Sequence, residues 1–217
     1  MKIALYTAIY GGKDNIIKVP KIKGVDNILF TDSHIKDTHG WEVRNVKGEN
    51  KSNNLNAKQF KILPHKFLSE YNLTIWVDGN VEFKDIASFI EEFKSNNMTV
   101  FDHNHSEDKR CCIYDEANAI IKLNKDDIEV VNKQIQKYSE LDYPKKNGLI
   151  CGGILLRQNN EIVNDLMDKW WDEIINGSVR DQLSFNFVAW KENFKPHYIK
   201  MDIRNNKFFK IIKRHKV

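Results

Sequence analysis

The chain is poor in cysteine and in proline, with three and four among its 217 residues. Adjacent cysteines such as Cys111 and Cys112 can bridge each other only with strain. Together with Cys151 they show no spacing typical of a zinc site. We therefore expect three reduced thiols in a cytoplasmic protein, because structural disulfides persist mainly in oxidising compartments.

No hydrophobic run approaches the roughly 18 residues that a membrane helix needs. The apolar stretch at the start, 3–6, is too short for a signal peptide. Low-complexity sequence is also lacking, whereas hydrophobic residues make up 41% of the chain and include twelve Phe and five Trp. This composition predicts one soluble domain over residues 1–217 with a substantial core, so any membrane contact would be peripheral.

A broad basic surface is absent as well. The net charge of +4 comes from residues 203–217, which contain six lysines and arginines and no acid. The rest of the chain has 28 basic and 30 acidic residues. A specific nucleic-acid partner is therefore not expected of the main body. The basic tail at about 203–217 is either a solvated end or a contact for an anionic ligand, a membrane surface or RNA.

Three common catalytic signatures are missing: the GxSxG elbow, the Walker phosphate loop and the GxGxxG dinucleotide motif. The apolar pattern instead alternates between strand-like runs and helical stripes, which predicts an α/β fold with a mainly parallel sheet flanked by helices. The principal predicted strands are 2–10, 27–31, 41–46, 73–77, 98–101 and 148–156. The predicted helices are 53–71, 86–93, 113–123, 126–138, 161–175 and 180–190, with Pro64 starting a new helix or a kink.

The polar tripeptide Asp78-Gly79-Asn80 directly follows the apolar strand 73–77. Ligands of parallel α/β sheets bind at the carboxyl ends of strands. A carboxylate and an amide oxygen on either side of a glycine turn suit Mg²⁺ or Mn²⁺ held beneath a diphosphate. A simple turn explains the same three residues, since all of them are common in turns.

Several charged residues could complete such a site. Lys58, Lys61 and Arg110 are candidates for the diphosphate, or else ordinary solvated charges. A further metal ligand could come from His103, His105 or His215, each of which could equally be a surface histidine.

Two later segments also invite a functional interpretation. The pair Gly152-Gly153 interrupts a predicted strand, which indicates either close approach of a sugar or a ligand-free β-bulge. Arg180-Asp181-Gln182 opens a helix, so Asp181 is either a capping residue or a group that points into the site. In the second interpretation Asp181 and Gln182 contact the sugar near the reacting carbon, and Arg180 pairs with a phosphate or carboxylate.

Five segments together resemble a known family. They are 5–11 (LYTAIYG), 57–65 (AKQFKILPH), 75–80 (IWVDGN), 103–117 and 180–185 (RDQLSF). The chain is similar to a glycosyltransferase-like family, once catalogued only as a domain of unknown function, whose plant members are linked to cell-wall polysaccharide and mucilage. More distantly it resembles GT-A enzymes of the glycogenin and galactosyltransferase type.

The resemblance implies a single GT-A-like, Rossmann-like domain that binds a nucleoside-diphosphate sugar, with a UDP-sugar as the favoured donor, and transfers the sugar to a glycan or other hydroxyl acceptor. It implies Mn²⁺ or Mg²⁺ at a DXD-like motif, where Asn80 replaces the last Asp. The matching positions are as follows: Thr7, Ala8, Tyr10 and Asp32 for the nucleoside, Lys58 for the diphosphate, Asp78, Asn80 and His215 for the metal, and Asp181 and Gln182 for catalysis.

Two other functions remain open at this point. A sugar-nucleotide hydrolase or nucleotidyltransferase would use the same metal-bound diphosphate. A non-catalytic glycan- or RNA-binding module would rely on the basic tail.

Overall fold

The computed structural model describes residues 1–12 and 14–212. The strands in these residues are β1 Ile3–Ile9, β2 Val25–Thr31, β3 Glu42–Asn45, β4 Leu73–Val77, β5 Val81–Phe83, β6 Met98–Asp102, β7 Ile150–Gln158, β8 His197–Ile199 and β9 Phe209–Ile211. The helices in the same residues are α1 Asn53–Ile62, α2 Pro64–Phe67, α3 Ile86–Phe93, α4 Ile113–Lys122, α5 Ile128–Glu140, α6 Glu161–Ile175 and α7 Gln182–Lys191.

Within the described residues, seven strands form one central sheet in the order β3-β2-β1-β4-β7-β6-β8, and β5 pairs with β9 in a small second sheet. Strand β7 is antiparallel to both of its neighbours, β4 and β6, and the other pairs of the central sheet are parallel. The predicted α/β domain with a mainly parallel sheet is confirmed.

Both faces of the sheet are covered, which explains why its central strands are apolar throughout. Strand β1 shows the alternation: Tyr6 and Ala8 belong to one hydrophobic cluster, Leu5 and Ile9 to the other. Helices α1, α4, α5, α6 and α7 contribute to the first cluster. Helix α3 and the β5–β9 sheet contribute to the second. The result is a three-layer arrangement in which the central sheet lies between two hydrophobic clusters.

Local signals set the helix boundaries near the site. Helix α1 begins after Ser52, whose hydroxyl accepts a hydrogen bond from the backbone N–H of Leu55 at 3.2 Å. This satisfies one of the free amide groups of the first turn. Helix α1 ends at Ile62 and α2 begins at Pro64. The prediction that Pro64 starts a new helix is confirmed, because proline fits the first turn of a helix and not its interior.

The glycine pair does not break β7, contrary to expectation. The strand runs without interruption from Ile150 to Gln158. Its pairing with β6 shifts, however, since Val100 lies opposite Leu155 and the next residue of β6 lies opposite Cys151. Gly152 and Gly153 therefore lie in a bulge of β7.

The predicted basic tail begins as folded structure. Phe208 and Phe209 are buried in the second hydrophobic cluster, and β9 pairs with β5. Arg204 pairs with Asp108, and Lys207 pairs with Glu92 at 2.8 Å. As far as residue 212, this end is thus held against the domain by apolar burial and ion pairs.

None of the helices in the described part of the chain combines the length and the apolarity needed to cross a bilayer.

Candidate active site

A cleft of about 310 Å³ opens at the carboxyl ends of β1 and β4. The chain leaves β1 towards β2 and β3 on one side and returns as β4 on the other. A crevice is expected at such a change of direction in a parallel sheet. The cleft is lined by Ala8, Ile9, Tyr10, Asp14, Asn53, Asn54, Ala57, Lys58, Lys61, Trp76, Asp78, Gly79, Asn80, Gly152, Gly153, Arg180, Asp181 and Gln182.

Backbone pairing places Asp78 at the mouth of this cleft. Its N–H donates to the carbonyl of Gly153 at 2.8 Å, one step beyond the β4 ladder. Its Oδ1 atom accepts a hydrogen bond from the indole Nε1 of Trp76 at 2.8 Å. The turn closes where Val81 N–H donates to the Asp78 carbonyl at 3.1 Å. Asp78 is therefore held in a defined orientation while its side chain stays 44% exposed.

Two lysines from α1 meet Asp181 in the floor of the cleft. Lys58 and Lys61 are three positions apart, so they share one helix face. The Nζ of Lys58 lies 2.9 Å from Asp181 Oδ1, and that of Lys61 lies 2.5 Å from Asp181 Oδ2. Lys61 also lies 3.5 Å from Asp78 Oδ1. One ammonium group thus bridges the two carboxylates at the centre of the site.

Burial and pairing act on these groups in opposite directions. Burial alone would raise the pKa of Asp181, but Lys58 and Lys61 hold that pKa far below its ordinary value. Burial lowers the pKa of Lys58, and the attraction of Asp181 offsets this only in part. Burial also opposes the charge on Lys61, yet Asp181 and Asp78 together raise its pKa above the ordinary value. The bridging ammonium is the more firmly protonated of the two.

The backbone of Lys61 is held by a buried chain of two hydrogen bonds. Its backbone carbonyl accepts a hydrogen bond from the Tyr6 hydroxyl at 3.2 Å. That hydroxyl in turn accepts a hydrogen bond from Nη2 of Arg157. Both Tyr6 and Arg157 are almost completely buried. This chain of hydrogen bonds links the centre of β1 to the last turn of α1, and nothing in the sequence spacing indicates it.

The later predicted segment reaches the cleft as expected, but with different contacts. Asp181 precedes α7 and its side chain makes no capping hydrogen bond. The amide Nε2 of Gln182 donates to the carbonyl of Ile150 at 2.8 Å. Arg180 lines the cleft, and its buried Nε atom has no hydrogen-bond partner among the described residues. Arg180 thus adds a third cationic side chain to the cleft lining, beside Lys58 and Lys61.

The residues predicted for the nucleoside divide into two pairs. Ala8 and Tyr10 line the cleft. Thr7 does not, since it is buried on the opposite face of β1. Asp32 also lies outside the cleft lining, and its carboxylate accepts hydrogen bonds from the N–H of Gly11 at 3.1 and 3.2 Å. Thr7 and Asp32 thus lie apart from the cleft lining, and Asp32 holds the loop after β1.

The residues at the mouth fit a divalent cation. Asp78 and Asn80 supply hard oxygen atoms, which Mg²⁺ and Mn²⁺ prefer. Asp14 was missed by the sequence analysis and adds another carboxylate: a Cβ on Gly79 would lie 3.2 Å from its Oδ2 atom. Its place after the β1 turn was the available signal. His215, the third predicted ligand, lies outside the described residues.

Three other sequence candidates lie away from the cleft. His103 contacts Nη2 of Arg110 at 2.6 Å, and His105 Nδ1 lies 3.1 Å from an Asp102 oxygen. Arg110 also pairs with the buried carboxylate of Glu116 at 2.9 Å. None of these side chains contributes to the lining of the cleft.

Comparison with known proteins identifies the family of the chain. Residues 27–216 match the model of the TOD1/MUCI70 glycosyltransferase-like domain. The match covers β2 to the C-terminal segment and includes the residues of β4, α1 and α7 that build the cleft. No curated protein matches the chain significantly.

Proposed function

Because the chain belongs to the TOD1/MUCI70 glycosyltransferase-like family, we propose that it transfers a sugar from a nucleoside-diphosphate sugar to a glycan or other hydroxyl acceptor. The observation that carries this proposal is the cleft at the β1–β4 crevice, with Asp78 and Asn80 at its mouth and Lys61 and Arg180 inside. A UDP-sugar is the favoured donor.

In this proposal Asp78, Asn80 and Asp14 hold Mn²⁺ or Mg²⁺ against the donor diphosphate. When bound, such a cation withdraws charge from the departing nucleoside diphosphate. Trp76 and Lys61 both contact Oδ1 of Asp78. The other carboxylate oxygen, Oδ2, is the atom with which Asp78 would hold the cation.

The basic groups of the cleft stabilise the negative charge that develops on the departing nucleoside diphosphate. Lys61 and Arg180 both line the cleft, and Arg180 has an unused buried donor. Fixed positive groups in a partly buried site stabilise a leaving diphosphate without reorganisation during the reaction. We assign them to the phosphate oxygens, and we assign the space beside Gly152 and Gly153 to the sugar.

Asp181 serves this mechanism as a fixed charge. A good general base has a pKa near the working pH, whereas Lys58 and Lys61 hold that of Asp181 far lower. The carboxylate therefore keeps both lysines in place. Gln182 is held against β7 by the carbonyl of Ile150 and presents the rest of its amide to the sugar.

The test replaces Asp78 with Asn, which keeps the side-chain shape and removes its charge. We expect nucleotide-sugar turnover to fall about 100-fold or more. Mn²⁺-dependent binding of nucleoside diphosphates, measured by calorimetry across a panel of bases, should fall with it. Asp165→Asn is the matched control, because this exposed acid on α6 pairs with Lys169 and lies outside the cleft lining.

Undiminished turnover in Asp78→Asn would remove this residue from the mechanism. Product analysis separates the alternatives on the same fold. Free sugar released without glycosylated acceptor indicates a hydrolase, and a new nucleotide–sugar bond indicates a nucleotidyltransferase. Salt-sensitive RNA binding without any affinity for nucleotide-sugars would indicate a binding module instead.

A further inference from the structure

A second cluster of potential ligands lies at the start of α4, outside the cleft. The Sγ atoms of Cys111 and Cys112 and a carboxylate oxygen of Asp115 all lie within 4.8 Å of one another. Among the described residues, this is the one group of three or more histidine, cysteine or acidic side chains with such spacing. The sequence shows no standard zinc pattern here because the two thiols are adjacent and the acid follows one helical turn later.

The contacts within this cluster are already close. Cys111 Sγ lies 3.2 Å from Asp115 Oδ2, and the backbone N–H of Cys111 donates to the same oxygen at 3.0 Å. The Cys112 Sγ atom lies within 4.8 Å of both of these ligand atoms. Two sulfur atoms on a tetrahedral Zn²⁺ lie about 3.8 Å apart, given Zn–S bonds of about 2.3 Å. The three ligand atoms therefore need only small side-chain rotations to face one ion.

We propose that Cys111, Cys112 and Asp115 form a binding site for a thiophilic divalent cation such as Zn²⁺. Two sulfur atoms and one carboxylate oxygen provide three of the four ligands of a tetrahedral ion, and water completes the shell. This ligand set differs from the oxygen atoms at the mouth of the cleft, which suit Mg²⁺ or Mn²⁺. The two sites are therefore chemically distinct, and neither depends on the other.

Charge and access both suit this assignment. Two thiol protons leave as one divalent cation enters, so the net charge of the cluster does not change. Arg110 faces the carboxylate, and Tyr114 and Tyr143 face Cys112. Cys111 is only half-buried, which leaves a path for the ion.

Binding there would have a structural consequence. Cys111 and Cys112 end the long polar connection from β6, and Asp115 belongs to the first turn of α4. An ion shared by these three residues would fasten the connection to the helix. Arg110 and Glu116 immediately flank the cluster and form the buried pair described above. The bound cation would thus stabilise the start of α4 without entering the cleft.

The experiment titrates the reduced protein with Co²⁺, whose bonds to thiolate give a sulfur-to-metal charge-transfer band, and then displaces Co²⁺ with Zn²⁺. We expect one equivalent of Co²⁺ to produce the band and Zn²⁺ to abolish it. The double variant Cys111→Ser/Cys112→Ser should lose the band. Asp115→Asn should weaken Zn²⁺ binding about tenfold or more.

Two controls make the outcome specific. Cys151→Ser should keep the band, because that thiol is buried beside Ser106 and lies outside the cluster. Asp78→Asn should also keep it, since the cleft offers no sulfur ligand. Circular dichroism verifies that each variant is folded. The proposal is overturned if the wild-type protein gives no band, or if the band survives in the folded double variant. Either result leaves the proposed glycosyl transfer unaffected.

Discussion

Asp181 shows how a single residue can hold a site together. Its carboxylate is 6% exposed and contacts two lysines that are themselves buried. An isolated ammonium group in such a place would be strongly disfavoured. Each lysine is therefore tolerated because Asp181 is ionised, and the same arrangement keeps Lys61 directed at Asp78. Removing one acid would leave two buried cations of like sign beside each other.

We predict that Asp181→Asn lowers the free energy of unfolding by about 3–5 kcal/mol at neutral pH, because it strips a buried ion pair of its only shared acid. Urea denaturation measures this. Asp168→Asn is the control, since that acid is 45% exposed and its pairs with Lys66 and His65 contribute about 0–1 kcal/mol. A loss no larger than the control's would contradict the structural role.

The pH dependence follows from the lowered pKa of Asp181. A depressed native pKa contributes stability above the unfolded value, about 3.9, and loses it as the pH falls towards the native value. The stability difference between the wild type and Asp181→Asn should therefore stay constant from pH 7 to about 5 and shrink below about 4. A difference that already shrinks near pH 6 would point to another titrating group.

Among the secondary-structure elements, β7 does two tasks at once. Residues on both sides of its bulge pair with neighbouring strands, β4 or β6. The bulge itself places Gly152 and Gly153 in the lining of the cleft. A Cβ on Gly152 would lie 3.1 Å from both Asp181 Oδ2 and Lys61 Nζ. A Cβ on Gly153 would lie 3.4 Å from Asp78 Oδ2, which is an ordinary contact distance. The two glycines therefore differ in what a side chain would disturb.

We predict that Gly152→Val lowers kcat/KM about 10- to 100-fold, because it displaces Lys61 from the position between the two carboxylates. Gly153→Ala is the matched control and should stay within a few-fold of the wild type. Thermal melts establish that both variants fold. Equal activity in the two variants would show that the close approach at Gly152 has no functional role.

Across the whole molecule, the C-terminal segment joins the second hydrophobic core to the cleft. Phe209 is fully buried, and its ring centroid lies 4.9 Å from that of Phe89 on α3. Three residues later, Ile212 N–H donates to the carbonyl of Asn80 at 2.9 Å. The last described residues thus support the turn that carries Asp78. We therefore expect the folding of this end to affect the geometry of the turn that carries Asp78.

We predict that Phe209→Ala costs about 3–5 kcal/mol of stability, as expected for a large buried side chain. Because the turn at Asn80 loses support, Mn²⁺ binding should weaken as well, measured by calorimetry below the unfolding temperature. Lys210→Ala on the exposed face of β9 is the control and should change stability by less than about 0.5 kcal/mol. Normal Mn²⁺ affinity in folded Phe209→Ala would show that the C-terminal segment does not support the proposed metal site.

The sequence by itself determined the α/β class, most strand and helix positions near the site, and the cleft residues at the ends of β1 and β4. These follow from local rules: apolar runs form strands, Pro64 starts a helix, and Asp78 ends a buried strand. The same rules indicated Lys58, Lys61 and Asp181 as candidates. They did not reveal that the three side chains form ion pairs with one another, since no local pattern indicates which charges meet across about 120 residues.

Only the tertiary structure decided the remaining features. It turned β7 antiparallel, so the amino end of that strand lies beside the carboxyl end of β4. It buried the start of the basic tail, because the apolar burial of Phe208 and Phe209 stabilises this segment against the domain while the neighbouring charged side chains stay at the surface. It directed Thr7 away from the cleft and brought Asp14 to Gly79. Each outcome depends on packing between residues that are far apart in the chain. Which of the two sheet faces a side chain joins is decided by that packing, and no local sequence pattern indicates it.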